Sequence, residues 1–145
     1  EGEDVDIVIL LEPTSPFRRM EDIKKCIQVL LEDKADSAAT FSNSNISPNR
    51  LWRISGDVVE PFIEGAVPWL PRQKQPTAYE LTGQIYALSK KVLFEQDSIS
   101  TLQGRIFPVI TPRETALDID TELDFMMAEK IMEHFQHKIT NNRKV

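Results

Sequence analysis

Two aspartates near the carboxyl end of the chain have the spacing of a metal site. Asp118 and Asp120 are separated by one apolar residue in ALDIDTELDF, residues 116–125, and a long amphipathic stretch follows. In an extended segment side chains alternate, so both carboxylates would point to the same side. Carboxylates held that close repel each other unless a cation lies between them, and Mg²⁺ accepts such oxygens together with substrate phosphates. The spacing is therefore suited to Mg²⁺ binding.

The same acids also have the composition of a helix start. Asp120 or Thr121 could be the N-cap residue, and Asp124, three residues after Thr121, would complete a variant of the capping box. An EF-hand loop is excluded, because the segment has neither the central glycine nor the distant glutamate of that loop. From these residues alone, helix capping and metal binding both remain open.

A second motif, EPTSPFRR, follows an unbroken apolar run near the start of the chain. In open α/β sheets, ligands bind just outside the carboxyl ends of strands, which is where this motif would lie. Thr14 and Ser15 offer hydroxyl groups, and Arg18 and Arg19 offer planar donors that suit carboxylate or phosphate. The structural alternative is a turn bounded by prolines that carries a solvated basic pair.

A third motif, RQKQPTAYELTGQIY, spans residues 72–86. Arg72 supplies positive charge, Gln73 supplies directional hydrogen bonds, and Gly83 permits close approach of the backbone. The alternative is an ordinary surface loop that enters a strand, with Tyr86 packed in the core.

The elements that would position these motifs follow from hydrophobic periodicity and turn residues. The run at 5–11 predicts a fully buried central strand, and the strand–helix–strand order after it predicts a parallel sheet. A hairpin is predicted around Gly56, in LWRISGDVVEPFI. Further strands are predicted over 37–42, 83–89 and 105–111, and helices over 20–34, 90–96 and 121–137.

Composition bounds the class of protein. The chain has 145 residues, 41% of them hydrophobic, and a formal net charge of −6, which is typical of one soluble domain and argues against a nucleic-acid surface. No apolar run approaches the roughly 20 residues that span a bilayer, so no membrane contact is expected. The single cysteine, Cys26, excludes an internal disulfide and favours a reducing compartment, the cytoplasm.

Together, the three motifs resemble those of the CMP-sialic acid synthetases, also called acylneuraminate cytidylyltransferases. Members of that family carry a QPTSPLR-like segment after a central strand, then an R-Q-rich stretch leading to NGAIY, and finally a DIDTELD-like element at the last helix. Here the segments read EPTSPFRR, RQKQP…TGQIY and DIDTELD, in the same order, from about residue 6 to 137. The resemblance implies an α/β fold with a Rossmann-like nucleotidyltransferase sheet, partial and mostly parallel, with helices and a β-hairpin dimerisation arm at 50–80.

The resemblance also implies an activity and its residues. The reaction would transfer CMP from CTP to a nonulosonic, sialic-type sugar acid and release pyrophosphate. Asp118 and Asp120 would be the catalytic ligands of Mg²⁺ or Mn²⁺, and the protein would be a homodimer in which each site is completed by the other subunit. The residues that the resemblance places at the substrates are Glu12, Thr14, Ser15, Arg18, Arg50, Arg72, Gln73 and Tyr86.

The chain departs from the family pattern in three ways. Glu12 replaces the usual glutamine and Thr82 replaces the asparagine of NGAIY, which suggests a sugar acid other than N-acetylneuraminate, such as legionaminate or pseudaminate. All five glycines are isolated, so no glycine-rich nucleotide loop is present. Residues 1–145 are therefore expected to be the C-terminal part of a single cytidylyltransferase domain. The alternatives are a non-catalytic oligomerisation or sugar-acid-binding fragment, and a DXD-type glycosyltransferase, which the other two motifs disfavour.

Overall fold

The computed structural model describes residues 5–93 and 100–142. Within these residues the fold is α/β, and the elements follow the predicted order. The strands are β1 (Ile7–Leu10), β2 (Ser37–Asn43), β3 (Trp52–Ser55), β4 (Val58–Pro61), β5 (Tyr79–Ser89) and β6 (Ile106–Ile110), and the helices are α1 (Met20–Leu31), α2 (Lys90–Leu93) and α3 (Glu122–Asn142).

The main sheet is mixed, with the strand order β1-β5-β2-β6. Strand β5 runs antiparallel to both β1 and β2, and only β2 and β6 form a parallel pair. Strands β1, β2 and β6 therefore share one direction, as the strand–helix–strand order predicts, but the expectation of a mostly parallel sheet is wrong for the pairings. The physical reason is the long connection from β2, which carries no crossover helix and returns the chain from the opposite end of the sheet.

Strand β1 does not have the central, fully buried position that its apolar run predicts. Within the described residues it pairs only with β5, and its side chains alternate between half-buried and exposed. Ile7 and Ile9 pack against the core, whereas Val8 and Leu10 are 37% and 43% exposed. An unbroken apolar run predicts a strand that is buried on both faces. In β1 only the face that carries Ile7 and Ile9 packs against the core.

The core lies between α1 and one face of the sheet. Cys26 of α1 meets Ala38 of β2, Ile85 of β5 and Val109 of β6, all of them less than 2% exposed. Burial raises the pKa of the Cys26 thiol to about 11, so the thiol stays protonated and packs as a small apolar group.

Most boundaries differ from the predicted ones by a few residues. Helix α1 ends at Leu31 rather than at 34, because Asp33 adopts a left-handed backbone (φ 53°). Strand β5 begins at Tyr79 rather than at 83, since its first residues pair with the end of β2. Helix α2 ends at Leu93, and residues 94–96 of the predicted helix lie outside the described residues. Among the helices that the structure describes, none combines the length and the apolar character that crossing a membrane would require.

The predicted hairpin is confirmed. Strands β3 and β4 pair in antiparallel fashion around Gly56, whose φ of +58° is the left-handed conformation that glycine permits. They form a two-stranded sheet separate from the main one. Trp69 folds back onto the hairpin and stacks on Trp52, with ring centroids 6.2 Å apart. We call residues 50–80 the arm.

Gly104 is required by a close approach of the backbone to the Asp36 carboxylate. Its φ is +62°, and a Cβ at this position would lie 2.6 Å from Oδ2 of Asp36. That oxygen accepts a hydrogen bond of 2.7 Å from the main-chain N–H of Arg105, so it cannot move without losing this bond.

The substitution Gly104→Ala is therefore expected to lower the free energy of unfolding by about 2–5 kcal/mol, the sum of a left-handed penalty and overpacking. Denaturant unfolding measures the change. Gly65→Ala is the matched control, because Gly65 has a φ of +72° and no atom lies within 4 Å of the point that an added Cβ would occupy; it should lose only about 1–2 kcal/mol. Equal losses in the two variants would mean that Asp36 moves aside freely.

Candidate functional site

The EPTSPFRR loop and the ALDID segment meet directly, although they are about a hundred residues apart in sequence. The main-chain N–H of Ile119 donates to the carbonyl oxygen of Thr14 at 3.0 Å. The hydroxyl of Ser15, which is fully buried, donates to Oδ1 of Asp118 at 3.5 Å. The first motif thus contacts both the main chain of Ile119 and the side chain of Asp118.

The third motif completes a cleft beside Asp118. The cleft has a volume of about 290 Å³, and β5 supplies most of its wall. The lining residues are Ser42, Glu80, Leu81, Thr82, Gly83, Tyr86, Ala116 and Asp118. The cleft is therefore lined by residues of RQKQPTAYELTGQIY and of ALDIDTELDF. The EPTSPFRR loop contacts this lining through Ser15 and Asp118.

A bulge in β5 shapes this cleft. Ala39 pairs with Tyr86, but Phe41 pairs with Leu81, so two steps along β2 span five steps along β5. Gly83 lies in the extra length with a φ of +73°, and a Cβ there would meet the Tyr86 hydroxyl at 3.9 Å and Asp118 Oδ2 at 4.0 Å. Bulges commonly turn side chains towards active sites, and this one brings Tyr86 and Asp118 to the same wall.

Buried polar contacts hold the bulge and the ALDID segment in place. The hydroxyls of Thr82 and Thr40 lie 2.7 Å apart inside the sheet, so Thr82 is occupied by a structural hydrogen bond. The side-chain amide of Gln84, 1% exposed, donates to the carbonyl oxygen of Thr115, three residues before Asp118. Sequence reasoning missed Gln84 as a positioning residue. Its signal was a polar side chain in an otherwise apolar stretch of strand.

Tyr86 lies in an electronegative environment. Burial raises the pKa of its phenol, and the nearby negative charges of Glu12 and Asp118 raise it further. The phenol is therefore protonated at neutral pH and can donate a hydrogen bond into the cleft. Glu12 is half-buried, and its role at the substrate stays a prediction.

The capping prediction is confirmed for Thr121 and Asp124. The main-chain N–H of Thr121 donates to Asp124 Oδ2 at 2.8 Å, and the main-chain N–H of Asp124 donates to Thr121 Oγ1 at 3.2 Å. The hydroxyl of Thr121 also donates to Asp124 Oδ2, at 2.7 Å, and this hydrogen bond, together with those from the main-chain N–H groups of Thr121 and Asp120, lowers the pKa of Asp124. Asp120 lies just before the cap with an exposed side chain, and its main-chain N–H also donates to Asp124. Of the acids in this motif, Asp124 thus belongs to the helix cap, which it forms with Thr121.

The two arginines of the first motif are engaged in structural contacts. Arg19 forms a two-pronged ion pair with Asp22 in the first turn of α1, at 2.8 and 2.7 Å. The Arg18 guanidinium donates to the carbonyl oxygen of Glu12 and so braces the loop. Its Nε is buried and has no hydrogen-bond partner among the described residues.

Arg50 and Arg72 lie together in a second cavity, on the arm. This cavity, of about 170 Å³, is bounded by Ser44 and Ala78 at the point where the β2–β5 pair ends. Arg72 donates to the side-chain oxygen of Asn45 at 3.4 Å. Gln73 is exposed in the short 3₁₀ turn beside Arg72 and does not line this cavity. Two of the predicted cationic residues, Arg50 and Arg72, therefore line one cavity, and neither of them lines the cleft of Asp118.

The donor set fits Mg²⁺ only with the help of oxygens from outside the chain. No group of three or more His, Cys, Asp or Glu residues is arranged to hold a metal within residues 5–93 and 100–142. Asp118 and Asp120 offer two carboxylates, which is a typical protein contribution to a Mg²⁺ site that also uses water and substrate phosphates. The metal role of these aspartates stays a prediction.

Comparison with known proteins identifies relatives whose sequences resemble most of this chain. No protein-family model matches the chain. The chain is 30% identical over 132 residues to CMP-N,N'-diacetyllegionaminic acid synthase of Legionella pneumophila, covering 88% of the chain and 54% of that protein. It is 28% identical over 126 residues to post-translational flagellin modification protein B of Campylobacter coli, covering 86% and 52%.

A third relative is the N-acylneuraminate cytidylyltransferase of Streptococcus agalactiae, 27% identical over 124 residues, which cover 86% of the chain and 30% of that protein. The chain thus spans about half the length of the first two relatives and less of the third. The similarity extends along most of the residues of the chain, so the resemblance to CMP-nonulosonic acid synthases and acylneuraminate cytidylyltransferases is confirmed.

Proposed function

We propose that this chain forms the metal-binding and sugar-acid-binding side of a cytidylyltransferase that transfers CMP from CTP to a nonulosonic sugar acid and releases pyrophosphate. The observation that carries the proposal is that the middle and last family motifs line one cleft, while the first motif contacts Asp118 beside it. Ser15 of the first motif contacts Asp118 of the last, and Tyr86 of the middle motif lines the same wall. The mixed α/β sheet is compatible with a Rossmann-like nucleotidyltransferase fold, which we include in the proposal.

Asp118 and Asp120 would hold a divalent cation, Mg²⁺ or Mn²⁺. When bound, such a cation neutralises charge that develops on the phosphate oxygens of CTP. The chain contributes orientation. Ser15 contacts one oxygen of Asp118 at 3.5 Å, and the hydrogen bond from the main-chain N–H of Ile119 to the carbonyl oxygen of Thr14 holds the backbone between the two aspartates.

The sugar acid would be held by groups of opposite character. Arg50 and Arg72 provide planar cationic donors for its carboxylate. Tyr86 provides a protonated phenol that donates to a sugar oxygen, since its pKa is raised. The anomeric hydroxyl then attacks the α-phosphate of CTP, the bond to the leaving pyrophosphate breaks, and the hydroxyl proton passes to solvent or to a nearby base.

We include a homodimer formed through the arm in this proposal. A two-stranded hairpin is at best marginally stable in water by itself. In β3 and β4 every residue except the half-buried Pro61 is exposed, including Ile54 at 71% and Val58 at 63%. A second copy that packs against this surface would bury it and would bring Arg50 and Arg72 towards a site shared by two chains.

The test uses the complete translation product that contains these residues. It is incubated with CTP, Mg²⁺ and a panel of nonulosonic acids, and release of pyrophosphate is followed together with the CMP-linked sugar by mass spectrometry. The expected result is stoichiometric formation of both products, dependent on the sugar acid and on the divalent cation. CTP hydrolysis without a CMP-sugar, or binding of sugar acid without turnover in any combination, would contradict the proposal.

A further inference from the structure

Gln84 carries a buried amide to which the proposed function gives no role. It lies in the extra length of the β5 bulge, is 1% exposed, and does not belong to the lining of the Asp118 cleft. In the NGAIY pattern of the family the corresponding residue is alanine, so the family motif does not account for the amide. A buried amide costs free energy unless it is hydrogen-bonded, and its partner therefore indicates what it contributes.

The partner of the Gln84 amide is the main-chain carbonyl oxygen of Thr115. Thr115 ends the short 3₁₀ turn Arg113–Thr115, which follows β6 in the chain. In the described sheet β2 lies between β5 and β6, so these two strands do not pair with each other. The hydrogen bond from Gln84 therefore joins β5 to a turn that no strand pairing connects to it.

Buried hydroxyl groups hold this turn together from within. The hydroxyls of Thr111 and Thr115 lie 3.0 Å apart, and the Thr115 hydroxyl donates to the carbonyl oxygen of Pro112 at 2.7 Å. Both threonines are buried, at 3% and 8% exposed. The turn is therefore a compact unit, and Gln84 attaches that unit to β5.

Asp118 lies between two points at which the main chain is anchored. On its amino-terminal side the carbonyl oxygen of Thr115 accepts from Gln84, and only two residues separate this anchor from Asp118. On its carboxyl-terminal side the main-chain N–H of Ile119 donates to the carbonyl oxygen of Thr14 at 3.0 Å. Loss of the first anchor would let the segment move away from β5, and the Asp118 carboxylate would then occupy a wider range of positions.

We propose that Gln84 is a positioning residue that holds the segment carrying Asp118 against β5 and thereby sets the affinity of Asp118 and Asp120 for a divalent cation; this inference rests on the proposed function and deepens it. A carboxylate that is already held in place binds a cation without the entropic cost of ordering its segment. Residues that orient metal ligands without touching the metal typically change metal affinity or activity about 10- to 100-fold.

The variant Gln84→Met in the complete gene product keeps the length of the side chain and removes its hydrogen-bond donor. The dissociation constant for Mn²⁺, measured by electron paramagnetic resonance without CTP or sugar acid, is expected to rise about 10-fold. In turnover, the Mg²⁺ concentration at half-maximal rate should rise by the same factor, while kcat at saturating Mg²⁺ stays within about 3-fold of the wild type. Amide hydrogen exchange of residues 116–120 should be faster in the metal-free variant.

Ser37→Ala is the matched control. The fully buried Ser37 hydroxyl also donates to a main-chain carbonyl oxygen, that of Gln103, but it lies at the start of β2, at the opposite end of that strand from Ser42 in the cleft lining. Its loss should lower the melting temperature and leave the Mn²⁺ constant unchanged. Gln84→Ala introduces the alanine of the family pattern; it should act like Gln84→Met, and it serves as the test if Gln84→Met does not fold.

The outcomes separate this inference from the proposed function. An unchanged Mn²⁺ constant or unchanged exchange of residues 116–120 in the Gln84 variants overturns the inference and leaves the proposed function standing, as does an equal rise of the constant in Ser37→Ala. A wild-type protein that binds no Mn²⁺ contradicts the proposed metal site itself, and the inference with it.

Discussion

Asp118→Asn in the complete gene product is expected to lower kcat at least about 100-fold, with little change in the KM for the sugar acid. A divalent cation at a phosphoryl-transfer centre contributes several kcal/mol of transition-state stabilisation, and each 1.36 kcal/mol corresponds to a factor of ten in rate. Asparagine keeps the size of the side chain and can still accept from Ser15, which contacts Asp118 Oδ1 at 3.5 Å. The loss would thus report the missing negative charge. Steady-state kinetics over a range of Mg²⁺ concentrations provide the measurement.

Asp124→Ala is the matched control for this experiment, because it removes an acid from the same motif. Asp124 caps α3 through Thr121, so its loss should lower the melting temperature. The rate per folded molecule should stay near that of the wild type. Asp120→Ala should behave like Asp118→Asn. If Asp118→Asn kept its activity, or if Asp124→Ala lost as much, the division of these acids between metal binding and capping would be wrong.

Features that depend on neighbouring residues could be predicted from the sequence. The β3–β4 hairpin follows from an SGD turn between two apolar runs, and the Thr121–Asp124 cap follows from residue types three positions apart. Both are fixed by local backbone geometry and local hydrogen bonds. For the same reason, the order of strands and helices matches the prediction, while the boundaries differ by a few residues.

The pairing of the sheet could not be predicted in this way. Nothing in the sequence of β5 shows that it lies between β1 and β2 and runs against both, because this arrangement is set by the path of the arm. The bulge at Gly83 likewise depends on which residues of β2 lie opposite. Hydrophobic periodicity indicates which face of a strand is buried, but it does not indicate which strands pair with it.

The candidate site was predicted in part. Of the residues that the resemblance places at the substrates, Tyr86 and Asp118 line one cleft and Ser15 contacts Asp118, whereas Arg50 and Arg72 line another cavity. The positioning role of Gln84 depends on a long-range contact with Thr115 that no local pattern contains. A buried polar residue in a strand signals that a partner exists, but the fold is needed to identify it.

The exposed apolar surface of the arm leads to the second large expected effect, on assembly. Ile54 is 71% exposed on β3, and Trp69, 73% exposed, stacks on the same hairpin. In a symmetric dimer each such residue is buried twice. Full burial of one isoleucine contributes about 1.5–3 kcal/mol. Because the dimer contains two copies of the residue, one substitution would weaken the free energy of association of the proposed dimer by about 3–6 kcal/mol.

Ile54→Asp is therefore expected to raise the dimer dissociation constant about 10²- to 10⁴-fold. Analytical ultracentrifugation over a concentration series measures the constant, and kcat measured on the same samples tests whether the arm also completes the site. Leu31→Asp is the control, because Leu31 is 68% exposed at the end of α1, outside the arm; it should leave the constant unchanged. A wild-type protein that is monomeric at micromolar concentration would exclude the dimer, and equal weakening by both variants would place the interface elsewhere. Loss of activity in parallel with dissociation, reversed at high protein concentration, would indicate that Arg50 and Arg72 serve the site of a second copy.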